Sequence, residues 1–400
     1  MRRARGTVWG AALLCALTAC GQDEEGPFGL APTAFDALPG WDEAEAGDAY
    51  DAFALSCASL LKRAADAPAN PAERLEHPRY DTLSGTVADW TEACADASSP
   101  RLPGEAAARA FFERHFVPVE VTAPDSLFTG YFEPTYQARP APAPPYTAAV
   151  LGVPDDLVTV DLGAFSEDFA DRDLVGRLRG RRLVPYADAA GIAADPPDAA
   201  VLGYADPNDL LFLQIQGSGR LEFPDGSVLR AGYAGKNGRA YVPVGRTLVQ
   251  DGALALEDVS MQSIRAWLDA APPEEAARVR HSNPSYVFFR PLDLPDPEGG
   301  PVGAQGVQLT GGASLAVDRR YHAMGLPVWL ETEATDDNPA IRGLFVAQDT
   351  GGAIRGPVRG DVFFGAGPEA ARLAGTMNAA GRMVVLLPRA VAAKVLGDAA

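Results

Sequence analysis

Ala347-Gln348-Asp349-Thr350-Gly351-Gly352-Ala353-Ile354-Arg355-Gly356-Pro357-Val358-Arg359-Gly360-Asp361-Val362-Phe363-Phe364-Gly365 is the most informative stretch of this 400-residue chain. Apolar Leu344–Ala347 reads as a strand that runs out at Asp349, and Val362–Phe364 as another that Asp361 opens. The glycines and Pro357 between them give a tight loop. Such a loop can turn both carboxylates into one cleft, with Arg355 or Arg359 close enough to pair with one of them. The spacing fits a plainer reading equally well. In that reading Asp349 and Asp361 are turn residues bonding nearby backbone amides.

Outward from this stretch, residues 307–390 hold further short strands at Val328–Leu330 and Met383–Leu387. One helix, Pro368–Ala374, interrupts them, with Pro at its start and Gly375 just past its end. Upstream, Asp258–Ala270 reads as an amphipathic helix with Met261, Ile264, Trp267 and Leu268 on one face, capped by Asp258 or Ser260. Leu210–Gln216 and Arg220–Phe223 read as strands, and Pro224-Asp225-Gly226-Ser227 as a turn into Val228–Arg230. Arg139–Pro145 carries four prolines, which rules out a helix or a central strand and suits an exit from one domain to another. Residues 45–117 are Ala-rich and helix-like, with helices expected over Ala52–Ala65, Val87–Ala97 and Glu105–Phe116. The β-like pattern begins at Leu127.

The N-terminus has the order of an export signal. Arg2, Arg3 and Arg5 precede an apolar run, Val8–Leu17, which ends in Leu17-Thr18-Ala19-Cys20. The run is too short to span a bilayer. Cys20 after small residues matches a bacterial lipobox, so lipidation of Cys20 and a membrane anchor are expected. Gly21, where an Asp would favour the inner membrane, points to the periplasmic face of the outer membrane. Residues 21–44, rich in acid, Pro and Gly, read as a solvated tether.

The chain holds 34 Lys+Arg against 53 Asp+Glu, a formal charge of −19. Removing the signal takes three arginines and leaves −22. That balance excludes nucleic acid as a partner. Cys57 and Cys94 are the even pair left after export and make a candidate disulfide. The four histidines, His77, His115, His281 and His322, have no metal-site spacing, and no CxxC pair exists, so no metal is expected. No nucleophile elbow, phosphate loop or dinucleotide fingerprint is present, so no cofactor is expected. Carboxylates remain, and in an exported, cofactor-free protein they point to glycoside cleavage.

The Asp349–Gly365 segment, with Asp318 in Ser314-Leu315-Ala316-Val317-Asp318-Arg319, resembles the three-aspartate signature of the 3D domain. Phe128-Thr129-Gly130-Tyr131-Phe132-Glu133-Pro134, Gln214-Ile215-Gln216-Gly217-Ser218-Gly219, Gly232-Tyr233-Ala234-Gly235-Lys236-Asn237-Gly238 and Asn283-Pro284-Ser285-Tyr286-Val287-Phe288-Phe289 follow one another in order. With the lipobox, the set resembles the membrane-bound lytic murein transglycosylase A family, over residues 120–388.

The resemblance implies a mainly β fold: a double-psi β-barrel carrying an inserted second β-barrel domain, with N-terminal helices. The implied division is residues 45–137 for helices and first barrel strands, 138–287 for the insertion, and 288–390 for the catalytic 3D part. Asp361 is the implied acid and base, with Asp349 as its neighbour and Asp318 as the third aspartate. Peptidoglycan glycan strands are the implied substrate, with cell-wall synthesis or division proteins as partners. Tyr131, Phe132, Gln216, Ser218, Tyr233, Lys236 and Asn237 are candidates for glycan contacts, while Glu133 is expected to be structural. Two other readings stay open. One is an inverting glycoside hydrolase that uses Asp349 or Asp318 as base. The other is a peptidoglycan-binding lipoprotein without turnover.

Overall fold

The computed structural model describes residues 28–75, 82–97, 104–169, 172–296, 299–335 and 338–397. The expected signal, Cys20 and residues 21–27 lie outside them.

The strands form two β-bodies, with helices packed around them. The larger is a nine-stranded mixed sheet. Across it run Gly29–Pro32, Phe116–Thr122, Gly381–Pro388, Pro327–Thr332, Arg342–Asp349, Ser314–Val317, Arg359–Ala366, Leu127–Glu133 and Asn378–Ala379. Among the described residues no pairing joins the two edge strands, so a closed barrel is not seen. The second body holds a six-stranded sheet, Val287–Pro291, Val228–Lys236, Ser218–Glu222, Thr135–Arg139, Val201–Ala205 and Ala148–Leu151. A three-stranded sheet, Leu157–Asp161, Asp173–Arg179 and Arg182–Pro185, stands beside it.

The crossing between the bodies falls earlier than the sequence suggests. Leu127–Glu133 belongs to the first sheet and Thr135–Arg139 to the second, so the chain crosses at Pro134. Proline has no N–H to continue a ladder. The proline-rich segment lies past the crossing, as a turn between Thr135–Arg139 and Ala148–Leu151. The return comes after Pro291. The expected limits of 138 and 287 therefore move outward. At the first crossing Glu133, 4% exposed, accepts from Arg230 of the second sheet at 3.2 Å. Burial pushes the Glu133 carboxyl up, against the pull of Arg230 and Arg220.

Leu210–Gln216, expected as a strand, belongs to the helix Pro207–Gln216. Its apolar run is buried on most sides, which hides the helical period. The local signals favour a helix throughout. Asp206 caps the Asn208 N–H at 2.7 Å, Pro207 starts the first turn, and Gly217 closes it at φ 80°, a left-handed conformation that suits glycine. The next hairpin follows expectation: Ser218–Glu222 pairs antiparallel with Val228–Lys236 across the Pro224–Ser227 turn. The helix expected from Asp258 begins at Met261, where Ser260 caps the Ser263 N–H at 3.0 Å. The helix at Pro368 runs to Thr376 and so contains Gly375.

Among the described residues, part of the expected tether is packed. Phe28, Leu38 and Trp41 are buried, and Gly29–Pro32 pairs with Phe116–Thr122. Trp41 stacks edge-on against Trp329 with centroids 5.4 Å apart. Three apolar side chains among acids are enough to anchor the segment, each contributing about 1.5–3 kcal/mol when buried. Helices Gly47–Leu60, Thr91–Ala97 and Glu105–His115 cover the same side of the sheet. Phe53, Phe111, Phe112 and Phe116 form their shared aromatic core. The first of these helices begins five residues before the expected Ala52 and ends at Leu60 rather than Ala65. Cys57 and Cys94 are disulfide-bonded, tying the first helix to the second.

Candidate active site

Asp349 and Asp361 do not meet through a simple hairpin. The short strand Ser314–Val317 lies between theirs, parallel to one and antiparallel to the other. Ala316 stands opposite Asp349 on one side and Asp361 on the other. The two carboxylates are thus levelled by register across three strands. Leu127–Glu133 completes the set, pairing Thr129 with Asp361 and Tyr131 with Phe363.

Asp361 is half-buried at the centre of a relay. Arg359 Nη2 donates to Thr129 Oγ1 at 2.8 Å, and Thr129 donates to Asp361 Oδ1 at 2.5 Å. Since the hydroxyl oxygen accepts from Arg359, its one proton is directed at the carboxylate. Burial pushes the Asp361 carboxyl above its ordinary range, with the Asp349 charge adding to it. The Thr129 bond and Arg359 pull the other way and are outweighed.

Asp349 is held by backbone and phenol. Its Oδ1 accepts from the Ala304 and Thr350 N–H groups, both at 2.9 Å, and its Oδ2 from Tyr131 at 3.0 Å. The Tyr131 phenol is pushed far up, by burial first and then by Asp349, so it stays a donor. Its ring packs on Phe363 with centroids 5.1 Å apart. The neighbour before Asp349 fixes its strand. Gln348 Nε2 donates to Ala52 O at 2.8 Å and Ser56 Oγ at 2.9 Å, while its Oε1 accepts from Ser314 at 2.5 Å. The N-terminal helix therefore positions the strand that presents Asp349.

Asp318 has a different task. It is 1% exposed, paired with Arg320 at 2.8 Å and bonded by the Gly356 N–H at 2.9 Å. Burial opposes its charge, but the bonds to Arg320 and Gly356 outweigh it and hold the carboxyl below its usual range. His322 donates to Pro357 O at 2.7 Å on the same loop. Asp318 thus anchors the loop between the other two aspartates, and this pairing leaves it unsuited to acid or base chemistry. Of the two arginines expected near the carboxylates, Arg359 reaches the network and Arg355 does not: Arg355 Nη1 donates to Ile354 O at 3.2 Å.

The proposed glycan contacts divide. Tyr131 is in the carboxylate cluster. Phe132 faces the other side of its strand and lines a cavity with Thr135, Arg220 and Pro368. Gln216, Tyr233 and Lys236 are exposed on the second body, and Ser218 is half-buried opposite Gly232. None of these four bonds to Asp349 or Asp361 among the described residues. Asn237 leaves the set. It is 1% exposed and spends its amide on the Ala187 and Pro284 carbonyls, both at 2.9 Å, and on the Tyr286 N–H. Thr129 and Gln348 were not singled out from sequence. For Thr129 a signal existed: it alternates with Tyr131 on one strand face. Gly130 between them is needed for close approach, since a Cβ there would lie 2.9 Å from Ala374 Cα.

A β-rich scaffold with a levelled carboxylate pair and an inserted β-body is that of a 3D-domain protein. Residues 313–387 match the 3D domain family, and residues 127–290 match the MltA specific insert domain. The chain is 36% identical over 267 residues to membrane-bound lytic murein transglycosylase A of Escherichia coli (strain K12), a match that spans 65% of each chain. It superposes on the crystal structure of MltA from Neisseria gonorrhoeae with TM-score 0.72 at 32% identity, covering 92% of both chains. The crystal structure of E. coli MltA with bound chitohexaose gives TM-score 0.57 at 26% identity, over 92% of this chain and 97% of that one. The chain belongs to the membrane-bound lytic murein transglycosylase A family.

Proposed function

We propose that this chain cleaves the β-1,4 bond between N-acetylmuramic acid and N-acetylglucosamine in peptidoglycan, without water, leaving 1,6-anhydro ends. The observation that carries the proposal is the raised, Thr129-bonded carboxyl of Asp361, levelled with Asp349. The names of the relatives and the chitohexaose bound to one of them support a glycan substrate. A double-psi β-barrel is the proposed scaffold, and lipidation of Cys20 at the outer membrane the proposed anchor. The names of the membrane-bound relatives favour membrane association.

The chemistry follows from the proton inventory. Thr129 occupies Oδ1 of Asp361, which leaves Oδ2 for the transferred proton. Protonated Asp361 gives that proton to the bridging oxygen as C1 gains positive charge. The ionised carboxylate then takes the proton of the muramyl C6 hydroxyl. That hydroxyl attacks C1 and closes the anhydro ring. Because the nucleophile belongs to the substrate, one carboxylate serves both steps. Asp349 keeps the acid form populated through its like charge, and its own oxygens are already engaged. Asp318, ion-paired and buried, is a poor base for water, which disfavours the hydrolytic reading. Asp361→Asn removes the transferable proton. Clearing of whole sacculi in a zymogram is expected to fall by about a thousandfold or more. A variant that clears them at the parent's rate would refute the assignment.

A further inference from the structure

A concavity of about 450 Å³ opens beside the carboxylate strands, lined by Asp318, Arg319, Arg320, Thr350 and Arg355 among others. Three arginines there meet one aspartate, in a chain of formal charge −19. Asp318 and Arg320 neutralise each other at 2.8 Å. Arg319 and Arg355 form no ion pair among the described residues. Among the described residues the buried Arg319 Nε has no acceptor, and the bond Arg355 makes is to a neighbouring carbonyl. Guanidinium forks free of carboxylates, in a concave site, suit a carboxylate ligand.

The place of the pocket narrows the ligand. Thr350 follows Asp349 directly. Asp318 lies two residues past Ala316, the residue level with both aspartates. At about 3.3 Å per residue, the pocket begins roughly 7 Å along the strands from the carboxylate pair. The glycan backbone of peptidoglycan is neutral once its muramyl lactyl groups are amide-linked. Its nearest anionic groups are the carboxylates of the peptide stems on those lactyl groups.

We infer that Arg319 and Arg355 form a subsite for the stem-peptide carboxylates of the muramyl residue at the cleavage point. The inference rests on the proposed substrate. It makes the enzyme sensitive to the stem as well as to the sugar, and it gives the arginines a role that hexosamine chains alone would not reveal.

Binding separates this inference from turnover. The full chain carrying Asp361→Asn would be titrated with soluble glycan strands bearing tetrapeptide stems, and with neutral, stem-free chitooligosaccharide strands of the same length. The parent is expected to bind stem-bearing strands about tenfold more tightly. Adding Arg319→Gln and Arg355→Gln should abolish that preference, leave affinity for stem-free strands unchanged, and flatten the salt dependence of stem-bearing binding. Retained preference in the double variant would overturn the inference. So would an equal loss on both strands, which would mark the arginines as structural. A parent that binds neither strand would remove the proposed substrate itself, a distinct outcome.

Discussion

The Thr129 hydroxyl donates to Asp361 Oδ1 at 2.5 Å while accepting from Arg359 at 2.8 Å. This relay links the acid to a cation without placing the cation on it. An arginine bonded directly to Asp361 would drive its pKa down and empty the acid form. With threonine interposed, burial and Asp349 still win.

Thr129→Val keeps the shape and removes the bond. Because the bond favours the ionised form, its loss should raise the Asp361 pKa further. The alkaline limb of the pH–rate profile then moves to higher pH. A higher pKa makes Asp361 a weaker proton donor, so the acid step slows, and kcat should fall about tenfold or more, the worth of a bond to a charged group. An unmoved limb would show that the threonine does not tune the acid.

Asp349→Asn acts in the opposite sense. It removes a like charge that holds Asp361 up. The Asp361 pKa should fall, and the alkaline limb should move to lower pH, with activity reduced at neutral pH. The two variants shifting the limb in the same direction would contradict the electrostatic account.

The raised carboxyl also has a stability signature. A folded-state pKa above the unfolded value means that the group's contribution is fully present below the unfolded pKa of about 3.9 and is lost as pH rises through the folded value. At neutral pH Asp361 therefore costs stability, because the unfolded chain ionises this carboxyl more readily than the folded one. Asp361→Asn should raise Tm at neutral pH, with the gain shrinking toward pH 3. Thermal unfolding across that range checks both the sign and the trend.

The Cys57–Cys94 bond joins residues 37 apart in sequence. By the loop-entropy relation it is worth about 4 kcal/mol. Replacing both cysteines by alanine should lower unfolding stability by about 2–5 kcal/mol. Clearing of sacculi at low temperature should persist, because neither residue touches the carboxylates. Urea unfolding with and without reductant gives the comparison.

The legible parts of this chain were those where a local signal agrees with the final environment. Asp349 and Asp361 end and begin apolar strands, and the Pro224–Ser227 turn sits in a two-strand hairpin, so both could be read in place. The relation between the aspartates could not. It depends on Ser314–Val317 slipping between their strands, a pairing more than thirty residues distant in sequence. Phe28, Leu38 and Trp41 were lost among acids and glycines, although three buried apolar side chains fix the segment. Leu210–Gln216 went astray because an apolar run buried on several sides shows no helical period. Its caps, Asp206 and Gly217, held the better information. Asn237 looks like a sugar-reading amide in sequence, and only the fold reveals that backbone carbonyls have taken it.

Mass spectrometry of the soluble fragments released from sacculi by the unmodified chain tests the central claim most directly. Muropeptides with anhydro ends, each lighter by one water than the hydrolysis product, are predicted. Fragments with ordinary reducing ends would contradict the account and return the aspartates to a hydrolytic mechanism.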